Sequence, residues 1–305
     1  MPGGDSTRMP AGADVVEARP SFLARFFRDL VRSPKGMVGF VIIVILLATA
    51  ALAPLLAPHD ATLQVLTDRF LPPFYAEGGS VDHLIGADNM GRDLLSRVIL
   101  ATRTSVTVAL IVIAIIMVFG SAVGLLSGYF GGIVDTLLMR LVDFQLSFPF
   151  ILLALLLLAI FGPGFSTLIV ALSVAFWVNF ARLVRSETLK LREAEFVQAA
   201  RSIGVSHAAI MIKHILPNTL PSIIVLATLD IAVIIISEAA MSFLGLGIQP
   251  PTPSWGMMIS DGRNYLYDSY WMVLGPGIAI VVTAVGINLF GDFLRDTYDP
   301  RQSRL

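Results

Sequence analysis

The sequence contains no cysteine, so disulfide bonds and thiolate metal sites are excluded. Charge is also scarce: 14% of the 305 residues are charged, whereas an average soluble domain has about 25%. So few charged residues cannot cover a surface that faces water on all sides. The net charge of -1 also argues against a nucleic-acid partner, which would need a basic surface.

Apolar residues make up 56% of the chain and are concentrated in blocks. A helix of about 20 apolar residues crosses the hydrocarbon core of a bilayer. The blocks therefore predict an all-α, polytopic membrane protein with six transmembrane helices. The predicted spans are Met37–Leu56, Val106–Tyr129, Leu138–Phe161, Thr167–Val184, Leu220–Ala240 and Trp271–Phe290.

The first block also invites comparison with a cleaved signal peptide, because Ala51-Leu52-Ala53 is similar to a cleavage site. The 36 residues before the block are too many for the charged start of a signal peptide. We therefore expect an uncleaved first span. Just before it, Phe22, Phe26 and Leu30 recur at helical spacing with arginines between them, which favours a helix lying in the membrane interface.

Basic residues near span ends predict the orientation, since lysine and arginine collect on the cytoplasmic side. Placing both termini in the cytoplasm puts the basic stretches 19–35 and 185–213 there and leaves five arginines outside. Those five are Arg69, Arg92, Arg97, Arg103 and Arg263. The predicted organisation is a disordered cytoplasmic leader (1–19), an amphipathic interfacial helix (20–36), a six-span domain (37–300) and a cytoplasmic tail (301–305), with external segments 58–103 and 244–269 and a cytoplasmic loop 185–217.

Gly120, Gly124 and Gly128 place a glycine at every fourth residue of the second span. This spacing is typical of a helix face that a neighbouring helix approaches closely. It supports a helical bundle; a special role as a seam in a transport pore is the alternative interpretation.

The loop 185–217 is polar, basic and helix-prone, with Gly204 in its middle and Pro217 at its end. Glycine adopts backbone angles that other residues avoid, so the pattern predicts two short helices joined at Gly204. Pro217 suits the first turn of the next span. Ala199 and Ala200 predict a bare patch against which a partner protein can pack.

This stretch resembles the EAA loop of bacterial ATP-binding-cassette (ABC) importer permeases, whose pattern is Glu-Ala-Ala, three residues, Gly, nine residues, Ile-x-Leu-Pro. Gln198 stands where that pattern has Glu, and His214 where it has Ile. The resemblance implies a type I ABC-importer permease fold, with a coupling helix that docks on an ATPase subunit. The implied coupling residues are Glu195, Gln198, Ala199, Ala200, Arg201, Gly204, His214, Leu216 and Pro217.

Segments 83–97, 242–256 and 291–301 are similar to the dipeptide/oligopeptide group of that family, in particular to its subunit with the shorter external segment. The resemblance implies a pore subunit of an ATP-driven importer of di- or oligopeptides in the bacterial inner membrane. It further implies a second related permease, two ATPase subunits, an extracytoplasmic binding protein and membrane lipid as partners. Nickel or another small solute is the alternative cargo within the family.

The chain itself has no phosphate-binding loop, because none of its lysines (Lys35, Lys190 and Lys213) follows the required glycines. ATP and Mg²⁺ are therefore expected to bind to partner subunits. We expect no cofactor and no enzymatic activity on this chain. An ion-coupled carrier is the alternative class, although internal repeats with broken helices, which are typical of such carriers, are not evident.

Charged residues inside spans are candidates for function. Asp230 and Glu238 lie in the fifth span, eight residues apart. They could line a translocation path; the alternative is that they pair with groups on neighbouring helices. His59 and His83 are far apart in sequence, and we expect no metal site on this chain.

Overall fold

The structure is a computed structural model that describes residues Phe22–Tyr298, so the predicted leader and tail lie outside the described residues. The chain forms helices joined by loops, and one long connecting segment covers residues 57–93. The helices are α1 (Phe22–Arg32), α2 (Pro34–Leu56), α3 (Leu94–Phe130), α4 (Gly132–Leu146), α5 (Phe150–Phe161), α6 (Phe165–Leu191), α7 (Glu195–Ser202), α8 (His207–Ala209), α9 (Leu216–Phe243), α10 (Trp255–Gly262) and α11 (Trp271–Tyr298).

Within the described residues, five helices are long and apolar enough to cross a membrane, and the pair α4–α5 makes a sixth span if it is counted as one. The five are Pro34–Leu56, Leu94–Phe130, Phe165–Leu191, His207–Phe243 and Trp271–Thr297. This agrees with the predicted number of spans. We refer to the end of the bundle that carries 57–93 as the predicted external end, and to the end that carries α7 as the predicted cytoplasmic end.

The third span is not the continuous helix that we predicted over Leu138–Phe161. It breaks between α4 and α5, whose axes differ by 84°. The cause is Pro149, which caps α5 with a φ of -57°. Proline has no N–H to donate to a helix and disfavours helical angles at the residue before it, here Phe148.

The helix α3 begins at Leu94, inside the predicted external segment 58–103. Asp93 caps this helix by accepting a hydrogen bond from the Ser96 N–H at 2.8 Å. A helix of 37 residues is about 55 Å long at roughly 1.5 Å per residue. It therefore exceeds a hydrocarbon core of about 30 Å and projects beyond it.

The segment 244–269 is not simply a surface loop. It contains α10, whose Trp255 side chain is buried in the core. An added Cβ on Gly256 would lie 2.2 Å from the Ala239 carbonyl oxygen, so α10 packs directly on the backbone of α9. This short helix is part of the bundle.

The amphipathic helix predicted over 20–36 ends at Arg32 in the structure. Ser33 then caps α2, accepting from the Gly36 N–H at 3.2 Å. Leu30 is buried against Phe293 and Leu294 of α11. The apolar side of α1 therefore packs partly on the protein and not on lipid alone.

The largest helix–helix interface joins α3 and α6, and the glycines of the second span lie in it. A Cβ added to Gly120 would lie 2.4 Å from the Trp177 carbonyl oxygen. A Cβ added to Gly124 would lie 2.4 Å from the Ala181 carbonyl oxygen. On Gly128 it would meet the Thr188 Cβ at 2.7 Å. The contacted residues follow one another in the same order along both helices. This order shows that α3 and α6 run parallel, with their backbones in contact.

We expect Gly124→Ala to destabilise the protein by about 1–3 kcal/mol, because the new methyl group must push two backbones apart. Gly277 is a matched control, since it also lies in a long helix and an added Cβ there would meet nothing within 4 Å. Gly277→Ala should be neutral or stabilising by up to about 1 kcal/mol. Thermal unfolding in detergent compares the two, and equal melting temperatures would contradict the close packing of this interface.

Candidate functional site

Helix α7 presents two different faces. Val197 and Ala200 are buried against the rest of the chain, whereas Phe196, Ala199 and Ile203 point outward. Ile203 is 81% exposed. The prediction that Ala199 and Ala200 form one bare patch is therefore wrong for Ala200, because neighbouring residues of a helix point about 100° apart.

A polar cluster attaches α7 to the end of α3. The Arg201 guanidinium lies over the Tyr129 ring, 5.0 Å from its centroid. The Tyr129 hydroxyl is 2.7 Å from the Nδ1 of His207 in α8. Arg192, just before α7, donates to the Gly128 carbonyl oxygen at 3.0 Å. These contacts connect α7 and the residues around it to the glycine-packed pair α3–α6.

Gln198, which replaces the glutamate of the EAA pattern, also has a structural contact. Its Nε2 donates to the Glu193 carbonyl oxygen at 2.9 Å, while its side chain stays exposed. An ionised glutamate has no N–H or O–H and could not make this bond. Glu195 is exposed in the first turn of α7, where its negative charge interacts favourably with the helix dipole.

Gly204 ends α7 with a φ of +81°, as the sequence predicts for the joint between two short helices. The turn closes with the Val205 N–H on the Ala200 carbonyl oxygen at 3.1 Å. An Ala200 that is both buried and part of this turn has little room for a larger side chain.

The sequence predicts a second short helix that ends before the fifth span. In the structure this helix does not end there. It continues from His207 through a π-helical stretch, Ile210–Ile215, into α9. Pro217 does lie in the first turn of α9, as predicted, and Leu216 and His214 are half-buried beside it. The last part of the 185–217 loop and the fifth span therefore form one continuous helix over His207–Phe243.

Two arginines of α6 pair with α4, which the sequence did not reveal. Arg185 donates to both carboxylate oxygens of Asp135, at 2.6 and 2.7 Å, and Arg182 donates to Asp143 at 3.1 Å. These pairs hold the first half of the broken span against α6.

The break between α4 and α5 forms a cleft of about 190 Å³ lined by Gln145, Phe148 and Asn179, among others. The Asn179 Nδ2 is 3.5 Å from a carboxylate oxygen of Asp230, which is almost fully buried. Irregular backbone at membrane depth is tolerated where it is buried in protein or lines a cavity. A mostly apolar cleft with two polar side chains, Gln145 and Asn179, thus lies near one of the two carboxylates predicted in the fifth span.

Glu238 has a different environment. It is 0% exposed and accepts hydrogen bonds from Ser105 at 2.8 Å and Ser242 at 2.7 Å. Both donors are neutral hydroxyl groups, one on α3 and one on α9. Glu238 therefore joins two helices in this conformation, and its assignment to a translocation path stays a prediction.

A buried charge network lies at the predicted external end; the sequence had indicated its arginines only as external basic residues. Arg97, 1% exposed, and Arg92 contact Asp88 at 3.4 and 2.7 Å and Asp261 at 3.7 and 3.6 Å. Burial raises the pKa of the Asp261 carboxyl above its usual value, and the positive charges of Arg97 and Arg92 only partly oppose this rise. The network joins the 57–93 segment to α10.

The structure brings together two histidines that are far apart in the sequence and for which we expected no metal site. The rings of His59 and His83 are 5.1 Å apart, and Asp93 lies beside both. One nitrogen or oxygen from each of the three residues lies within 4.8 Å of the others. The segment between the two histidines folds back on itself, and this fold places their side chains next to each other.

Comparisons with known proteins agree with these features. The family described as "Binding-protein-dependent transport system inner membrane component" matches residues 120–304, and "N-terminal TM domain of oligopeptide transport permease C" matches residues 21–73. The chain is 42% identical over 269 residues to the probable D,D-dipeptide transport system permease protein DdpC of Escherichia coli (strain K12), with 88% of each chain covered. It is 38% identical over 275 residues to the dipeptide transport system permease protein DppC of Alkalihalophilus pseudofirmus, covering 90% of this chain and 88% of that one.

The fold is similar to that of a permease chain in inward-facing structures of the MetNI methionine ABC transporter. The TM-score is 0.52 at 22% identity, covering 67% of this chain and 95% of that chain. These findings favour the importer permease over an ion-coupled carrier. Since the first family matches more than half of the sequence and both relatives cover most of it, the chain belongs to the binding-protein-dependent transport system inner membrane components.

Proposed function

We propose that this chain forms one half of the translocation pore of an ATP-driven importer of di- or oligopeptides, and that α7 is its coupling helix. Both termini lie in the cytoplasm in this proposal, α7 docks on an ATPase subunit, and a second permease completes the pore. The 57–93 segment and α10 face an extracytoplasmic binding protein. ATP and Mg²⁺ bind to the partner subunits.

The observation that carries the proposal is the geometry of α7. Its outer face is apolar, with Phe196, Ala199 and Ile203 exposed at helical spacing, although this end of the chain is otherwise polar and basic. An exposed apolar face rimmed by polar residues is typical of a protein–protein contact. The inner face carries the buried Val197 and Ala200, and Arg201 attaches the helix to the Tyr129 ring of α3. The helix therefore suits transmission of motion from a partner into the spans.

Peptide cargo is supported by the names of the relatives, which are dipeptide permeases, and by the cleft at the α4–α5 break. A peptide carries a positively charged amino terminus, and Asp230 offers a carboxylate next to Asn179, which lines this cleft. Broken helices near the bilayer midplane form substrate sites in other transporters. We therefore assign Asp230 to the translocation path.

The first experiment is a purification of the chain from its native membrane in mild detergent, with partners identified by mass spectrometry. We expect an ATPase, a second permease and a binding protein. The complex is then reconstituted in vesicles, where uptake of labelled dipeptides should require ATP. Recovery of the intact chain alone, or uptake driven by an ion gradient without ATP, would refute the proposal.

The same vesicles test the path. Asp230→Asn keeps the size of the side chain and removes its charge, so dipeptide uptake should fall at least tenfold while ATP hydrolysis continues. Asp143→Asn, which removes an exposed carboxylate paired with Arg182, is the matched control and should retain most uptake. Equal uptake by the two variants would remove Asp230 from the path and leave the importer assignment intact.

A further inference from the structure

The cleft at the predicted external end contains a cluster of side chains that the transport mechanism does not use. His59 follows α2, His83 lies in the middle of the segment, and Asp93 caps α3. The described residues that line the cleft, of about 270 Å³, include four carboxylates and two imidazoles and no lysine or arginine. They are His59, Asp60, Leu63, Val65, Asp68, Asp82, His83, Gly91 and Asp93.

The distances between the polar atoms suit a shared cation. The His83 Nδ1 lies 2.9 Å from one oxygen of Asp93, and the His59 Nδ1 lies 3.8 Å from the other. Ligands bound at about 2.0–2.2 Å around a tetrahedral zinc ion are roughly 3.3 Å apart. The two observed separations lie on either side of this value, and one ligand atom from each of the three residues lies within 4.8 Å of the others.

The orientation of the ligands is supported by second contacts. Asp93 is buried and accepts from the Ser96 N–H at 2.8 Å and the Ser96 hydroxyl at 2.6 Å, which fixes its carboxylate. On the far side of the His83 ring, Nε2 lies 3.6 Å from a carboxylate oxygen of Asp68. A carboxylate at the second nitrogen of a histidine is the usual partner that orients a metal-bound imidazole.

We propose that His59, His83 and Asp93 bind a divalent transition-metal ion of the zinc type, with Asp68 orienting His83. Imidazole nitrogens together with one carboxylate suit Zn²⁺ and Ni²⁺ better than Ca²⁺ or Mg²⁺, which prefer oxygen ligands. For the ion to bind at the His83 Nδ1, the ring carries its proton on Nε2, the nitrogen that faces Asp68. The ion would tie the end of α2, the middle of the segment and the start of α3 together.

The test measures Zn²⁺ binding to the purified full-length chain, prepared with a histidine-free affinity tag. The chain has four histidines and no cysteine, so background binding is low. We expect one tightly bound Zn²⁺ per chain by equilibrium dialysis and elemental analysis, competed by Ni²⁺ and not by excess Mg²⁺. His59→Gln should weaken binding more than tenfold, and Asp68→Asn by about 10–100-fold.

His59 is suitable for the main variant because its side chain is 41% exposed, so the substitution leaves the packing intact. His214→Gln changes a histidine at the opposite end and should bind Zn²⁺ as the unchanged chain does. Melting temperature measured with and without Zn²⁺ gives a second readout, since bound metal should raise it only where the site is complete. Absence of stoichiometric binding, or equal binding by the His59 and His214 variants, would overturn the proposal.

Discussion

Ile203→Glu should reduce ATP-driven peptide uptake roughly thirtyfold in the reconstituted complex. In the proposed docking, Ile203, which caps the end of α7, is an apolar contact with an ATPase subunit, and a glutamate at this position would bury its charge in that contact. Losing a contact of this kind typically costs about 2 kcal/mol or more, which corresponds to a factor of roughly thirty in the docked population. Uptake of labelled dipeptide and ATP hydrolysis are measured on the same vesicles.

The design separates docking from folding. Because Ile203 is 81% exposed, its replacement removes little packing within the chain, and the melting temperature should stay within the experimental error of the unchanged protein. Ile203→Leu keeps an apolar side chain of the same size and should retain near-normal uptake. A charge at the buried Ala200, by contrast, would damage the attachment of α7 itself. Normal uptake by Ile203→Glu would show that α7 does not dock on the ATPase.

Patterns that depend on local spacing were predicted well from the sequence. The blocks of apolar residues gave the spans, because a helix in lipid must satisfy its own backbone and so needs a continuous apolar run. The glycines of the second span predicted close packing, which the contact with Ala181 confirms. The joint at Gly204 was also predicted, since only its positive φ allows the turn.

Features that depend on distant partners were not predicted. Arg97 looks like an ordinary external arginine in the sequence, and its burial follows only from the return of α10 with Asp261. His59 and His83 likewise meet because the 57–93 segment folds back on itself. The break at Pro149 had a local signal, but the apolar composition on both sides outweighed it in the prediction of a continuous span.

Asp88→Asn should be strongly destabilising. In the folded protein Asp88 contacts both Arg92 and Arg97, and without its charge the two buried guanidinium groups share Asp261 alone. Leaving a buried charge without its partner typically costs about 3–5 kcal/mol. We therefore expect a large fall in melting temperature in detergent, and less folded protein in the membrane.

An exposed ion pair gives the control for this effect. Glu187→Gln removes the partner of Lys190, 3.0 Å away on the surface of α6, and should cost less than about 0.5 kcal/mol. A double variant tests the cause, because Asp88→Asn with Arg97→Met removes the unpaired charge together with its lost partner. We expect it to be more stable than Asp88→Asn alone, since an apolar pair in place of a buried ion pair is often neutral. If the double variant were less stable than the single one, Arg97 would stabilise the fold through its packing, and unpaired charge would not explain the loss.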